Sequence, residues 1–166
     1  MGPGEVLKVL DALALAGLPS WLDGGWGVDA LLGKQTRSHE DIDLVVELAR
    51  LDEVRAILGE LGFHLVEDHL PTRAAMRSDD GGQIDLHPVT FDENGIGWQA
   101  GAAPDGADCS YPADGFSLGQ VAGQSVPCLT PTLQIEHHLG YQPRERDRAD
   151  VTALASAFNL AVPPPY

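Results

Sequence analysis

The chain has 166 residues, 43% of them hydrophobic, and this predicts a single domain over residues 1–166 with a substantial core. It carries 25 acidic residues against 10 Lys and Arg, a formal net charge of −15, which excludes a nucleic-acid polymer or an anionic membrane as an expected partner because both repel a polyanion. A cationic small substrate would be attracted, although acidity also favours solubility alone.

The N-terminal region predicts a covering helix and no export signal. Apolar residues recur at helical spacing between positions 5 and 18, as in an amphipathic helix that packs on a sheet. No basic segment precedes an apolar stretch, and no apolar run reaches the length of a membrane span. Since the only two cysteines, Cys109 and Cys128, show no metal-ligand spacing, we expect a cytoplasmic protein with reduced thiols.

A glycine-rich turn comes after Pro19, in the segment Asp23-Gly24-Gly25-Trp26-Gly27. Glycines allow backbone N–H groups to approach an anion closely. A short helix over about 26–32 would begin at this turn, and its N-terminus would favour negative charge. Paired glycines also form ordinary turns, so the phosphate-binding interpretation depends on the residues downstream of the turn.

The next segment predicts a strand that carries two aspartates. The segment Asp41–Val46, DIDLVV, has the length and β-branched content of a strand, and its period of two places Asp41 and Asp43 on one face. Two carboxylates on one face lie roughly 7 Å apart. They can hold one or two Mg²⁺ ions, which prefer hard oxygen ligands together with substrate phosphates.

The same turn has a second interpretation, dinucleotide binding. Residues 25–30, GWGVDA, fit the fingerprint G-x-G-x-x-G/A. That fold requires a strong strand before the glycines and a long helix after them. Here Pro19 leaves room for only a short strand and Gly33 interrupts the helix, so we reject this interpretation.

The segments after this strand predict a sheet that carries a third carboxylate. A helix is expected over 52–61, followed by strands at 63–67, 73–77 and 83–87 with a hairpin turn at 79–82. Asp85 repeats the apolar-Asp-apolar pattern of the first strand, and a neighbouring strand would carry it up to Asp41 and Asp43. His87 lies on the same strand face as Asp85 and is an alternative base.

The last third of the chain predicts a loop and then helices. The segment 92–119 is rich in Gly, Ala, Asp and Pro without periodicity, which indicates a long surface loop that covers a substrate, with Trp98 and Tyr111 as candidates for stacking. Helices are expected over 130–139 and from about Pro143, followed by a frayed or extended tail. The domain thus divides into a core at 1–91, a variable loop at 92–120 and a C-terminal helical part at 130–160.

Seven of the ten basic residues lie near these motifs, which favours a phosphate-binding role for them. They are Lys34, Arg37, Arg73, Arg77, Arg144, Arg146 and Arg148. For the last three, a solvated helix face paired with local acids is an equal alternative.

With these pieces in place, the chain resembles the antibiotic nucleotidyltransferases, and most closely the short lincosamide nucleotidyltransferases. The resemblance covers most of the chain. It lies in ordered blocks: WLDGGWGVD at 21–29, GKQ at 33–35, RSHEDID at 37–43, IDLHP at 84–88, VPC at 126–128, HLGY at 138–141, then Asp147 and Asp150.

The resemblance implies an α/β (α+β) fold, a nucleotidyltransferase-type mixed β-sheet flanked by helices, with C-terminal helices. It implies transfer of AMP from ATP, or of another nucleotide from its triphosphate, to a drug hydroxyl, with Mg²⁺ as cofactor. The matching metal ligands are Asp41 and Asp43, with Asp85 as third carboxylate, metal ligand or base. The matching nucleotide contacts are Gly24, Gly25, Arg37 and His39, of which the last two contact phosphate or orient the acids.

Three functions are expected on these grounds. The first is adenylylation of a lincosamide, and the second is the same reaction on an aminoglycoside, which the acidity suits. The third is a nucleotide-binding regulatory module without drug transfer. The expected partners are a small-molecule antibiotic and a nucleoside triphosphate, with a homodimer permitted.

Overall fold

The computed structural model describes residues 1–166. Its five helices are α1 Pro3–Leu15, α2 Gly24–Leu32, α3 Leu51–Glu60, α4 Pro131–His137 and α5 Glu145–Phe158. Its nine strands are β1 Ser20–Asp23, β2 Asp41–Glu47, β3 Phe63–His69, β4 Arg73–Ser78, β5 Gln83–Phe91, β6 Gly97–Gln99, β7 Cys109–Tyr111, β8 Phe116–Val121 and β9 Gln124–Leu129.

The strands form one mixed sheet in the order β3-β4-β5-β2-β1-β9-β8, with β6 paired to β5 and β7 paired to β6. The central strand β2 is parallel to β5 and antiparallel to β1. Helices flank this sheet, so the predicted mixed sheet with C-terminal helices is confirmed. The antiparallel β1–β2 pair also agrees with the rejection of a dinucleotide-binding fold, whose first strands are parallel.

The alternation in β2 decides which face of the sheet is buried under helices. Ile42, Leu44 and Val46 are fully buried in the main core, together with apolar residues of α1 and α3. Val45 points the other way into a second cluster with Tyr111 and neighbours. Because Asp41 and Asp43 share the face of Val45, that face is apolar at one end and acidic at the other.

The predicted loop over 92–119 is wrong as a description of that segment. It contains β6 and β7 and the first residues of β8. The strand β5 continues past His87 to Phe91 and presents free backbone groups, on which Thr90 and Phe91 pair with Trp98 and Gly97. Each of these two strands has only three residues, which is too short to show a period of two, so sequence patterns could not indicate them.

The C-terminal end also differs from expectation. Helix α4 ends at His137 rather than at Leu139. The tail is anchored, since the Tyr166 hydroxyl donates to the His138 carbonyl and Arg148 donates to the Pro165 carbonyl. No helix of the structure has the length and apolar character needed to cross a membrane.

Candidate active site

Three neighbouring strands bring three aspartates into one row. Asp43 on β2 is the register partner of Asp85 on β5 and of Asp23 on β1. Paired residues of adjacent strands project from the same face of a sheet, and Asp41 shares that face two residues earlier. The expectation that a neighbouring strand carries Asp85 up to Asp41 and Asp43 is met by this register.

The negative charges of these carboxylates repel one another. Burial raises the pKa of Asp41, and the charges of Asp43 and Asp85 raise it further. Burial and the charge of Asp43 likewise raise the pKa of Asp85, against a smaller opposing effect of Arg73. Burial and neighbouring negative charge both disfavour the ionised forms of Asp41 and Asp85, and half-buried carboxylates of this kind are hard oxygen ligands that fit a divalent cation such as Mg²⁺.

The set is open rather than a closed cage. No three His, Cys, Asp or Glu side chains are gathered tightly enough to enclose a metal ion by themselves. This is the pattern of Mg²⁺ sites that take one or two carboxylates from the protein and complete their coordination with water and substrate phosphates.

The predicted glycine turn lies directly against the aspartate row. Gly24 begins α2 with φ of +56°, and a Cβ at this position would lie 2.1 Å from Oδ2 of Asp43. The Gly24 N–H donates to Oδ1 of Asp23 at 2.7 Å. Only glycine therefore fits here, because it adopts a positive φ without strain and because it has no Cβ to collide with the Asp43 carboxylate.

Of the other two predicted nucleotide contacts, one reaches the cavity and one lies behind the turn. Arg37 lines the cavity and its Nη2 is 2.8 Å from Oδ2 of Asp150. His39 is buried and its Nε2 is hydrogen-bonded to Oδ2 of Asp29. The centroid of its ring lies 4.7 Å from that of Trp26. A Cβ on Gly25 would lie 2.4 Å from Nδ1 of His39, so the His39 ring packs directly against the backbone of the glycine turn.

His87 belongs to a network that ends on Asp43. Its Nε2 lies 3.2 Å from Oδ1 of Asp43, and its Nδ1 lies 3.2 Å from Nε2 of Gln99. The Tyr111 hydroxyl donates to Oε1 of Gln99 at 2.6 Å. Burial alone lowers the pKa of His87, but the hydrogen bond and the charge of Asp43, with those of Asp23 and Asp85, raise it overall. Both ring nitrogens are thus engaged.

These residues surround one cavity of about 940 Å³. Its carboxylates are Asp23, Glu40, Asp41, Asp43, Glu136, Asp147 and Asp150. Its guanidinium groups are Arg37, Arg73 and Arg146. Oδ1 of Asp85 lies 3.5 Å from Nη2 of Arg73, which lines the cavity. The cavity is strongly acidic, with a few cations able to meet phosphate.

The structure separates the other candidates. Tyr111 lines the cavity, whereas Trp98 does not and donates instead to Asp92. Arg146 is the only one of the three late arginines on the cavity wall, and Arg77 and Lys34 are not on it.

Asp23 and His137 also line the cavity, and neither was predicted to do so, although Asp23 directly precedes the glycine pair. Nδ1 of His137 lies 2.9 Å from Oδ2 of Asp23. Burial alone raises the pKa of Asp23, but the charge and hydrogen bond of His137, the charge of His87 and the Gly24 N–H lower it to about 2.

The chain has clear relatives of known kind. The family model described as aminoglycoside-2''-adenylyltransferase matches residues 5–154. The lincosamide resistance protein of Staphylococcus haemolyticus is 32% identical over 152 residues, which are 92% of this chain and 93% of that protein. The 2''-aminoglycoside nucleotidyltransferase of Escherichia coli is 34% identical over 121 residues, 73% of this chain but only 63% of that enzyme.

Solved structures agree with these relatives. The crystal structure of the lincosamide antibiotic adenylyltransferase LnuA, lincomycin-bound, matches with a TM-score of 0.81 and 32% identity, covering 92% of this chain and 96% of that chain. The solution structure of the resistance factor ANT(2'')-Ia matches with a TM-score of 0.76 and 23% identity, covering 94% and 83%, and supports the fold alone. The chain therefore belongs to the aminoglycoside-2''-adenylyltransferase family and is a nucleotidyltransferase.

Proposed function

We propose that the protein transfers AMP from ATP to a hydroxyl of a lincosamide antibiotic and releases pyrophosphate, with Mg²⁺ as cofactor. One observation carries this proposal: Asp41 and Asp43 line an acidic cavity together with the Gly24 turn, and Asp85 is the register partner of Asp43 on the next strand. The lincosamide is favoured because LnuA, which matches over 92% of this chain, binds lincomycin.

Asp41 and Asp43 would hold the metal, with Asp85 completing the carboxylate set. The raised pKa values of Asp41 and Asp85, caused by burial and by neighbouring carboxylate charge, are the reason that a cation is favoured there. A bound Mg²⁺ supplies neutralisation of the negative charge that develops on phosphate oxygens during transfer.

The chain's own groups would hold the triphosphate in place. The backbone N–H of Gly25 lies at the start of α2, where the helix dipole favours an anion, and Gly24, whose own N–H is bonded to Asp23, lets the backbone pass close to the phosphates. Arg37, Arg73 and Arg146 are the cations on the cavity wall, and guanidinium groups donate well to phosphate oxygens. Holding both substrates in line is the main task in phosphoryl transfer, since the protein forms no covalent bond to them.

The incoming hydroxyl must also lose a proton. Asp85 would either complete the metal site or accept this proton, because a carboxylate near a metal can serve in both roles. Its raised pKa agrees with either role, since a carboxyl with a higher pKa is also a stronger base.

An aminoglycoside is the second candidate acceptor. Seven carboxylates and only three guanidinium groups line the cavity, and an acidic wall attracts a polycation. The matching family model also carries the description of an aminoglycoside adenylyltransferase.

The test is a direct product assay. The purified protein is incubated with Mg²⁺, a mixture of nucleoside triphosphates, and panels of lincosamides and aminoglycosides. Mass spectrometry then detects any drug that gains one nucleoside monophosphate, which identifies acceptor and nucleotide together. If every drug stays unmodified and pyrophosphate stays at background while ATP still binds, the regulatory-module alternative replaces this proposal.

A matched pair of variants tests the carboxylate roles. Asp43→Asn is expected to abolish transfer, because it removes a charge from the centre of the row. Asp52→Asn makes the same chemical change at an exposed position on α3 and is expected to leave turnover unchanged. Near-normal turnover by Asp43→Asn would overturn the proposed metal site.

A further inference from the structure

An ion pair joins the last helix to the segment between α2 and β2. Oδ2 of Asp150 lies 2.8 Å from Nη2 of Arg37, and Oδ1 lies 3.5 Å from Nε of the same guanidinium. The two residues are 113 positions apart in the chain, and both line the cavity. The Asp150 side chain is only 5% exposed and that of Arg37 is 30% exposed, so a buried carboxylate holds a guanidinium that still reaches the cavity.

The packing of α5 on α2 places this carboxylate. Val151 and Leu154 of α5 are fully buried in a cluster with Val28 of α2. Asp150 directly precedes Val151, so the same contact fixes its position. A carboxylate this buried is unfavourable without a partner, and Arg37 is the only cationic side chain within ion-pair distance of it.

The pair leaves part of the Arg37 guanidinium available to a ligand. An arginine side chain has five N–H donors in one plane. Asp150 accepts from Nε and from one N–H of Nη2, and the Ser38 carbonyl accepts from Nη1 at 3.4 Å. One N–H on each terminal nitrogen has no protein partner, and two such donors on one planar group suit two oxygens of a phosphate.

The guanidinium lies directly against the glycine turn. A Cβ on Gly25 would be 2.7 Å from Nη2 of Arg37. The preceding residue, Gly24, is the one whose added Cβ would be 2.1 Å from Oδ2 of Asp43. Arg37 therefore sits where the first turn of α2 meets the aspartate row, beside the backbone N–H proposed to hold the triphosphate.

The other two guanidinium groups of the cavity are held differently. Nη2 of Arg73 is shared between Glu67, at 2.8 Å, and Asp85, at 3.5 Å. The side chain of Arg146 is 51% exposed and reaches only the next residue of its own helix, at 3.9 Å. Arg37 alone is held through two of its nitrogens by a buried acid from a distant part of the chain.

We propose that Asp150 is a positioning residue for the triphosphate, because it holds Arg37 against the glycine turn in the orientation that binds phosphate; this inference rests on the proposed nucleotidyl transfer. A free arginine side chain loses rotamer freedom when it binds a ligand. Arg37 has lost that freedom before ATP arrives. Asp150 also carries a negative charge that repels phosphate, so the inference requires the gain from orientation to exceed this repulsion.

The deciding variant is Asp150→Asn, which keeps the shape of the side chain but turns one acceptor oxygen into an N–H donor facing the guanidinium. We expect the Kd for ATP with Mg²⁺, measured by titration calorimetry, to rise by about 10-fold or more, as for a lost charge-assisted hydrogen bond. The KM for the acceptor should stay within about twofold, because Arg37 is proposed to contact phosphate only. A merely structural role would lower the amount of folded protein without changing the Kd of the folded molecules.

A double variant tests whether Asp150 acts through Arg37. Arg37→Met should weaken ATP binding at least as much as Asp150→Asn does. Adding Asp150→Asn to Arg37→Met should then leave the Kd for ATP unchanged, since two residues that act as a unit are not additive. The control is Asp68→Asn, which removes an aspartate 3.2 Å from Arg55, joining β3 to α3 away from the cavity, and should bind ATP like the wild type.

Two results would overturn the inference. Unchanged or tighter ATP binding by Asp150→Asn would show that the pair only fastens α5 or that its negative charge dominates. Weaker binding by the double variant than by Arg37→Met would show that Asp150 acts by another route, and this comparison remains if Asp150→Asn alone does not fold. Failure of the proposed function is seen separately, as a wild-type protein that modifies no drug in the product assay, whatever the Kd of Asp150→Asn.

Discussion

Replacing Gly24 by alanine tests whether the glycine turn and the aspartate row form one site. The new Cβ would lie 2.1 Å from Oδ2 and 2.8 Å from Cγ of Asp43. An ordinary van der Waals separation is about 3.5 Å. The Asp43 carboxylate must therefore move by about 1 Å or rotate to another rotamer.

Two effects of different size are expected from this change. The backbone strain of alanine at a φ of +56° costs about 1–2 kcal/mol of unfolding free energy. The displacement of Asp43 acts on the reaction, because a misplacement of about 1 Å in a catalytic constellation can lower turnover by about 100-fold. We expect Gly24→Ala to be modestly destabilised but nearly inactive.

Gly33→Ala is the matched control. Gly33 ends α2 with φ of +68°, and nothing lies within 4 Å of the position of its Cβ. This variant should show the same loss of stability in urea unfolding with full AMP transfer. If Gly24→Ala and Gly33→Ala lose equal activity, the contact between the turn and Asp43 has no role in the reaction, and our reasoning about the site is refuted.

Three further predictions concern stability and are measured by urea unfolding. The pKa of Asp23 near 2, against an ordinary value of 3.8, corresponds to about 2 kcal/mol of unfolding free energy that is present above about pH 4 and lost as the pH falls towards about 2. The difference in unfolding free energy between wild type and Asp23→Asn should therefore become smaller over that pH range. A difference that stays constant would contradict this prediction. Arg37→Met leaves the buried Asp150 carboxylate without its partner and should cost about 1–3 kcal/mol; no loss would show that water replaces the pair. Leu44→Ala removes a fully buried side chain and should cost about 2–5 kcal/mol, whereas Leu15→Ala, at a position 90% exposed, should stay within about 0.5 kcal/mol; equal effects would contradict the assigned core.

Local patterns were sufficient for the central part of the fold. The alternation in Asp41–Val46 predicted a strand with Ile42 and Leu44 buried, and both are fully buried in the observed strand. The hairpin turn at 79–82 and the helix that ends before Gly62 were predicted from turn and cap residues, and both are present. These features depend on a few neighbouring residues, which is why the sequence alone reveals them.

Patterns failed where an element exists only because of a distant partner. The strand β6 pairs with the extended end of β5 and β7 pairs with β6, and each has only three residues, too few to show a period of its own. Pro127 lies inside β9, although proline normally argues against a strand. In both places tertiary pairing outweighs local preference.

The sequence by itself determined the strand that presents Asp41 and Asp43, the glycine turn and the resemblance to nucleotidyltransferases. Each of these depends on short segments of contiguous residues. Only the tertiary structure decided that Asp43 lies between Asp85 and Asp23, that His39 lies behind the turn, and that His137 meets Asp23 across 114 positions. The register of a sheet and the packing of a helix on it depend on contacts between remote segments. No local sequence pattern predicts those contacts, so the row of carboxylates and the pairing of His137 with Asp23 are visible only in the tertiary structure.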